Sequence, residues 1–203
     1  MKILIVADTV TNKLLEPVEG ETFLRDIDLI VSCGDLPPEY LSRLTFRYDV
    51  PLLYILGNHD LRYKTSPPGG CRNIDQRITT FKGLKIIGFS GSRWYNGGIN
   101  QYTETQMKRS INKLRFSLWR SGSPDLVITH APPRHVNDAE DLCHRGFKVF
   151  NSLIKKYNPP YFLHGHIHTL FKDDTERIST VNTTQVINCY GFHVLEITST
   201  AGN

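Results

Sequence analysis

The chain has 203 residues, 39% of them hydrophobic and 22% charged, with a formal net charge of +4. That length favours one domain spanning residues 1–203, large enough to bury about 70% of its unfolded surface without disulfide or metal staples. The mild basic excess is scattered, so charge carries no clear nucleic-acid signal, and no stretch approaches the roughly 18 apolar residues of a membrane span.

The sequence opens on the strand pattern Met-Lys-Ile-Leu-Ile-Val with no apolar h-region or small-residue cleavage site after it, so no signal peptide is expected there. The cysteines Cys33, Cys71, Cys143 and Cys189 form no CxxC pair, and reduced thiols in a cytoplasmic protein are the simplest account of them. Short apolar runs are expected to be strands at Ile3–Val6, Leu29–Val31, Leu52–Leu56, Leu84–Phe89, Leu126–Thr129, Tyr161–Leu163, Gln185–Asn188 and His193–Ile197. Their apolar character is continuous rather than alternating, as in sheets covered on both faces. Helices are expected at Glu39–Tyr48 after Pro37-Pro38, and from a capping box at Thr103–Gln106 through Met107, Ile111, Leu114 and Leu118. A third is expected over Cys143–Tyr157, ending before Asn158-Pro159-Pro160. Early elements alternate β and α while the last part is nearly all strand, which predicts an α/β core with a second sheet at the C-terminal end.

Metal-ligand residue types stand at the ends of five of these runs: Asp8, Gly34-Asp35, Gly57-Asn58-His59-Asp60, His130, and His164-Gly165-His166-Ile167-His168. In open α/β sheets the crevice beyond the carboxyl ends of the strands is where sites form. Five loops are therefore expected to deliver carboxylates, an amide oxygen and imidazoles to one place. That donor set suits Mn, Fe, Zn or Ni, and the lack of thiolates argues against a structural zinc.

Taken together, Asp8, Gly34-Asp35, Gly57-Asn58-His59-Asp60, Thr129-His130-Ala131-Pro132-Pro133 and Gly165-His166-Ile167-His168 resemble the calcineurin-like metallophosphoesterase superfamily, over essentially the whole chain. The resemblance implies a four-layer α/β/β/α sandwich of two mixed sheets flanked by helices, with two divalent metal ions where the sheets meet. It implies that Asp35 bridges the ions, that Asn58, His130 and His166 complete the second site, and that Asp8 and His168 belong to the first. It implies that His59 assists the leaving group, oriented by Asp60. Two cations about 3.5–4 Å apart hold a hydroxide nucleophile and clamp the attacking and leaving oxygens of an in-line displacement. A departing alkoxide still gains from a proton, and histidine has the fitting pKa.

The chain departs from the family pattern in one place. Where the first motif reads Asp-x-His, this chain has Asp8-Thr9-Val10, and valine ligates nothing. Three outcomes stay open: water fills the gap and weakens the first site; Asn12, Asp138, Glu140, Asp141 or His144 substitutes; or the first site stays empty. Further candidates for substrate contact are Arg62 just past the third motif, and Arg93 and Tyr95 in the glycine-rich Gly88–Gly98 segment. Arg134, His135 and Asp138 lie in the polar segment after His130. A small or generic phosphodiester is the leading substrate expectation. A phosphomonoesterase or protein phosphatase is the second, and a non-catalytic scaffold on the same fold the third. Oligomeric state is not encoded in these patterns.

Overall fold

The first apolar run becomes the strand around which one sheet is built. The structure, a computed structural model, describes residues 1–16 and 22–198. Strands β1 (Lys2–Ala7), β2 (Leu29–Ser32), β3 (Leu52–Tyr54) and β4 (Cys71–Asn73) run parallel, and β13 (Gly191–Glu196) lies antiparallel on the far side of β1. The second sheet has the order β11 (Ile178–Val181), β12 (Thr184–Asn188), β10 (Tyr161–His164), β9 (Leu126–Thr129), β6 (Leu84–Phe89), β5 (Ile78–Phe81). Its four inner strands are parallel, and β11 and β5 are antiparallel edges. A two-stranded ribbon, β7 (Ser92–Arg93) and β8 (Gln101–Tyr102), leads out of β6.

The period-two geometry of strands sorts the apolar residues into layers. Ile3, Ile5, Ala7, Leu29, Val31 and Leu53 face Ile86, Leu126, Ile128, Leu163 and Ile187 of the other sheet, which makes the central layer. Leu4, Val6, Ile30, Leu52 and Tyr54 face outward onto Tyr40, Leu41 and Leu44 of α1 (Pro38–Tyr48). On the opposite outer face Ile87, Phe89, Val127, Phe162 and Val186 pack on α2 (Glu104–Lys113), α3 (Arg115–Ser121) and α4 (Lys148–Tyr157). The architecture is thus α/β/β/α with both sheets covered, as continuous apolar runs require.

Several local expectations are corrected. The second sheet is made from the middle of the chain as well as its end, and the last strand returns to pair with β1, Leu195 opposite Ile3. The Thr103 capping box is present, but the helix it starts breaks at Leu114 into α2 and α3. The helix expected from Cys143 begins at Lys148, because Phe147 instead pairs its backbone with Pro132 and Arg134. The short strands β4, β5 and β11 carry too many polar residues to read as apolar runs. All three are sheet edges, where polar side chains are tolerated and discourage unwanted pairing.

Candidate metal centre

The carboxyl ends of β1, β2, β3, β9 and β10 point to one edge of the sandwich, where the two sheets meet. The loops there are stitched across the sheets: the His130 Nδ1–H donates to the Cys33 carbonyl at 2.9 Å, and the His166 amide donates to both Asp8 oxygens at 3.0 Å. Within each sheet Asp8 N donates to Gly34 O and Gly165 N to His130 O. Asp8, Asp35 and His166 all take left-handed backbone, with φ of 67°, 56° and 68°. Such backbone costs roughly 1–3 kcal/mol per residue and clusters at functional sites. Here the cross-sheet hydrogen bonds hold it. Gly57 is required by close approach, since a Cβ there would lie 2.0 Å from Asp35 Oδ1.

All six residues expected to bind metal converge on this edge. Ligand atoms of Asp35, His130 and His166 lie within 4.8 Å of one another. His130 Nε2 stands 3.0 Å from Asn58 Oδ1 and 3.2 Å from Asp35 Oδ2. Because a carbonyl can only accept, the bond to Cys33 keeps a proton on His130 Nδ1 and turns Nε2 toward the two oxygens. A ring nitrogen facing two oxygen acceptors is satisfied by a proton or by a cation in its place, so the donor set fits a divalent ion. His166 is held the same way from its other nitrogen, Nε2–H donating to Cys143 O at 2.9 Å, which leaves Nδ1 unprotonated. The Asp8 side chain is fully buried, with His168 Nε2 3.8 Å from its Oδ1, and Tyr190 stacks on the His168 ring at 4.9 Å.

The same closeness governs the charges. Burial opposes ionisation of Asp35, but the His130 ring beside it outweighs this and holds the carboxyl at about 2. Burial pulls His130 down, yet Asp35 lifts it to about 9. His166 is pushed down to about 3, by burial first and then by His130, so it stands as a neutral ligand. Asp60 rises to about 6 through burial.

The candidate catalytic and substrate residues divide. His59 is exposed, its amide donates to Asp35 Oδ1 at 2.8 Å, and it lines a cleft of about 210 Å³ with Asp35, Pro37, Asp60 and Arg62. Asp60 is buried beside it. Its Oδ2 accepts the Asp35 and Gly57 amides at 2.9 and 2.8 Å, which ties two ligand loops together. Arg62 makes a bidentate pair with Glu39, both bonds 2.9 Å. Tyr95 is in the site, its hydroxyl accepting from Asn58 Nδ2 at 3.3 Å. Arg93 lies on β7, half-buried, two residues before Tyr95. Arg134 is buried and spent on Asp138 and Glu140. Sequence reasoning missed Tyr190, the Cys33 and Cys143 carbonyls, and Asn100, whose side chain donates to Gly57 O at 2.9 Å. No local pattern marks them. A larger groove of about 470 Å³ between α2 and α4, lined by Lys108, Arg115, Lys148 and Lys156, contains none of the metal-ligand set.

Comparison with known proteins agrees with this geometry. No curated protein matches the chain. Among solved structures, TT1561 of Thermus thermophilus is similar with a TM-score of 0.63 at 16% identity, covering 94% of this chain and 89% of that one. GAP50, the anchor in the inner membrane complex of Plasmodium, is similar with a TM-score of 0.55 at 14% identity, covering 94% and 71%. A 5'-nucleotidase precursor from Thermus thermophilus gives a TM-score of 0.52 at 14% identity; this chain, 94% covered, spans 49% of its length. At such identities these likenesses speak to the fold alone. The family model for calcineurin-like phosphoesterases matches residues 1–170. The chain therefore belongs to the calcineurin-like phosphoesterase family and is a metal-dependent hydrolase of phosphate esters.

Proposed function

We propose that the chain hydrolyses a small phosphodiester at a two-ion centre, with Asp35 shared between the ions and His59 at the leaving group. Divalent ions bound there polarise the phosphoryl group and acidify water. Asn58, His130 and His166 would hold one ion with Asp35, and Asp8 and His168 would contribute to the other. The chain's own part is positioning. Asp60 fixes the Asp35 and Gly57 backbone, the Cys33 carbonyl holds His130 by Nδ1 so that Nε2 faces the centre, and Tyr95 orients the Asn58 amide. His59, exposed at the cleft beside Asp35, gives its imidazole proton to the departing oxygen and takes one back from solvent.

Arg62 is the observation that supports a diester over a monoester. A monoester dianion gains from a free guanidinium, and the one that lines this cleft is engaged at both nitrogens by Glu39. A diester, with a single charge, needs no such partner. Carboxylate, amide and imidazole donors suit Mn, Fe, Zn or Ni, and four free cysteines suit the reducing cytoplasm. The scaffold reading draws on one feature, the valine at position 10, which stands 43% exposed where the family has a ligand.

Metal-stripped protein reloaded with Mn²⁺ and timed on an aryl phosphodiester and an aryl phosphomonoester tests this. The expected result is metal-dependent turnover, faster on the diester, abolished by Asn58→Ala and little changed by Arg62→Ala. Faster monoester turnover that needs Arg62 would replace the diesterase with a monoesterase. Absence of turnover on both esters from micromolar to millimolar Mn²⁺ would favour the scaffold.

A further inference from the structure

On the two-ion reading the first ion has Asp8, Asp35 and His168 but no imidazole from Val10, and the structure brings another histidine near His168. His144, half-buried in the loop between β9 and α4, has its ring centroid 5.3 Å from that of His166 and 6.5 Å from that of His168. With metal–nitrogen bonds of about 2.1 Å, two imidazoles on one ion have centroids roughly 4.5–6.5 Å apart.

The ring is oriented for such a role. His144 Nδ1 lies 3.0 Å from each Asp141 oxygen, so Nδ1–H donates to the carboxylate and Nε2 is left as the lone pair. Metal-binding histidines characteristically give their second nitrogen to a carboxylate in this way. Asp141 Oδ1 also accepts the Cys143 and His144 amides at 3.0 Å, which fixes the backbone that carries the ring.

The loop itself is built rather than slack. Arg134, 7% exposed, binds Asp138 at 2.7 Å and Glu140 at 2.7 and 2.9 Å, and Asp138 in turn accepts the Gly146 amide at 2.9 Å. Gly146 is packed so closely that a Cβ would meet the Pro132 and Pro133 carbonyl oxygens at 2.6 Å. The Cys143 carbonyl, next to His144, already receives Nε2–H of the ligand His166. One loop therefore orients the His166 imidazole and sets the His144 ring near those of His166 and His168.

We propose that His144, positioned by Asp141, is the first-ion ligand that stands in for the histidine replaced by Val10. This rests on the two-ion reading above, and metal binding separates the two. Calorimetric titration of stripped protein with Mn²⁺, and electron paramagnetic resonance for a spin-coupled ion pair, should show two ions on the wild-type chain. His144→Ala should keep one tight ion, lose the coupled signal and bind the second at least about 10-fold more weakly. Asp141→Asn should weaken the same ion by a smaller factor. Adding Val10→His to His144→Ala should return the second ion and the coupled signal, a recovery that a merely misfolded variant would not give. If His144→Ala binds both ions as tightly as wild type, the proposal falls, even if turnover drops. A wild-type chain holding a single ion sensitive to Asn58→Ala overturns this inference and leaves a mononuclear phosphoesterase. Binding of no ion at all overturns both readings.

Discussion

Asp60 is where the sequence pattern and the structure ask for different experiments. The family resemblance has it orient His59, whereas the structure has its Oδ2 accept the amides of Asp35 and Gly57 at 2.9 and 2.8 Å in a site where Asp60 is 7% exposed. Asp60→Ala removes both bonds where water has little access to replace them. Hydrogen bonds to a charged group contribute about 1.5–3 kcal/mol each, and relief of the carboxylate's own desolvation offsets part of the loss. A net destabilisation of about 2–3 kcal/mol follows, or about 5–10 °C in Tm for a chain of this length. Asp60→Asn places a carbonyl oxygen where Oδ2 was, keeps both acceptor contacts without the charge, and should cost about 1 kcal/mol. Urea melts and differential scanning calorimetry of metal-free protein measure the stability. Turnover of the aryl diester by each variant, beside His59→Ala, measures the catalytic share. On the structural reading Asp60→Ala loses stability and turnover together, while Asp60→Asn keeps most of both. If Asp60→Ala melts within about 0.5 kcal/mol of wild type and both Asp60 variants match the turnover of His59→Ala, Asp60 acts through His59 and the backbone argument is wrong.

Phe150 is fully buried against Phe89, Phe147 and Phe162, with ring centroids 6.2, 5.1 and 5.5 Å away. Phe150→Ala should therefore cost about 3–5 kcal/mol by urea melt, and a loss under 1 kcal/mol would mean that the α4 layer repacks freely. His193 on β13 is buried, and burial holds its imidazole below the ordinary value, with Asp174 only partly opposing. A histidine with a depressed folded pKa adds no penalty above about pH 6.5 and loses stability as pH falls below that, because the unfolded chain takes up the proton first. His193→Gln should flatten the fall in urea midpoint between pH 7.5 and 5.5; equal slopes in both proteins would contradict the burial argument.

What the sequence determined was the layered core and which residues gather at one edge of it. Continuous apolar runs at Ile3–Val6, Leu126–Thr129 and Tyr161–Leu163 need cover on both faces, which demands helices outside and a second sheet within. Residues at the carboxyl ends of parallel strands share one edge, so Asp8, Asp35, Asn58, His130, His166 and His168 could be gathered from their order along the chain. These are consequences of local pattern, readable from a few neighbours in sequence.

The tertiary structure decided what depends on pairs distant in sequence. The edge strands β4, β5 and β11 are held by a neighbour rather than by apolar burial, so their own residues do not announce them. The last strand pairs with the first across the whole chain. Arg62 is tied up by Glu39, 23 positions away, and Asp60 serves the backbone of Asp35, 25 positions away. His144 comes near His166 and His168 through a loop shaped by a buried arginine and a closely packed glycine. A side chain's chemistry is set by its type, but its partner is set by the fold. The residues of the candidate centre could therefore be gathered from the sequence, while the contacts that hold and orient them emerged only once the two sheets were packed face to face.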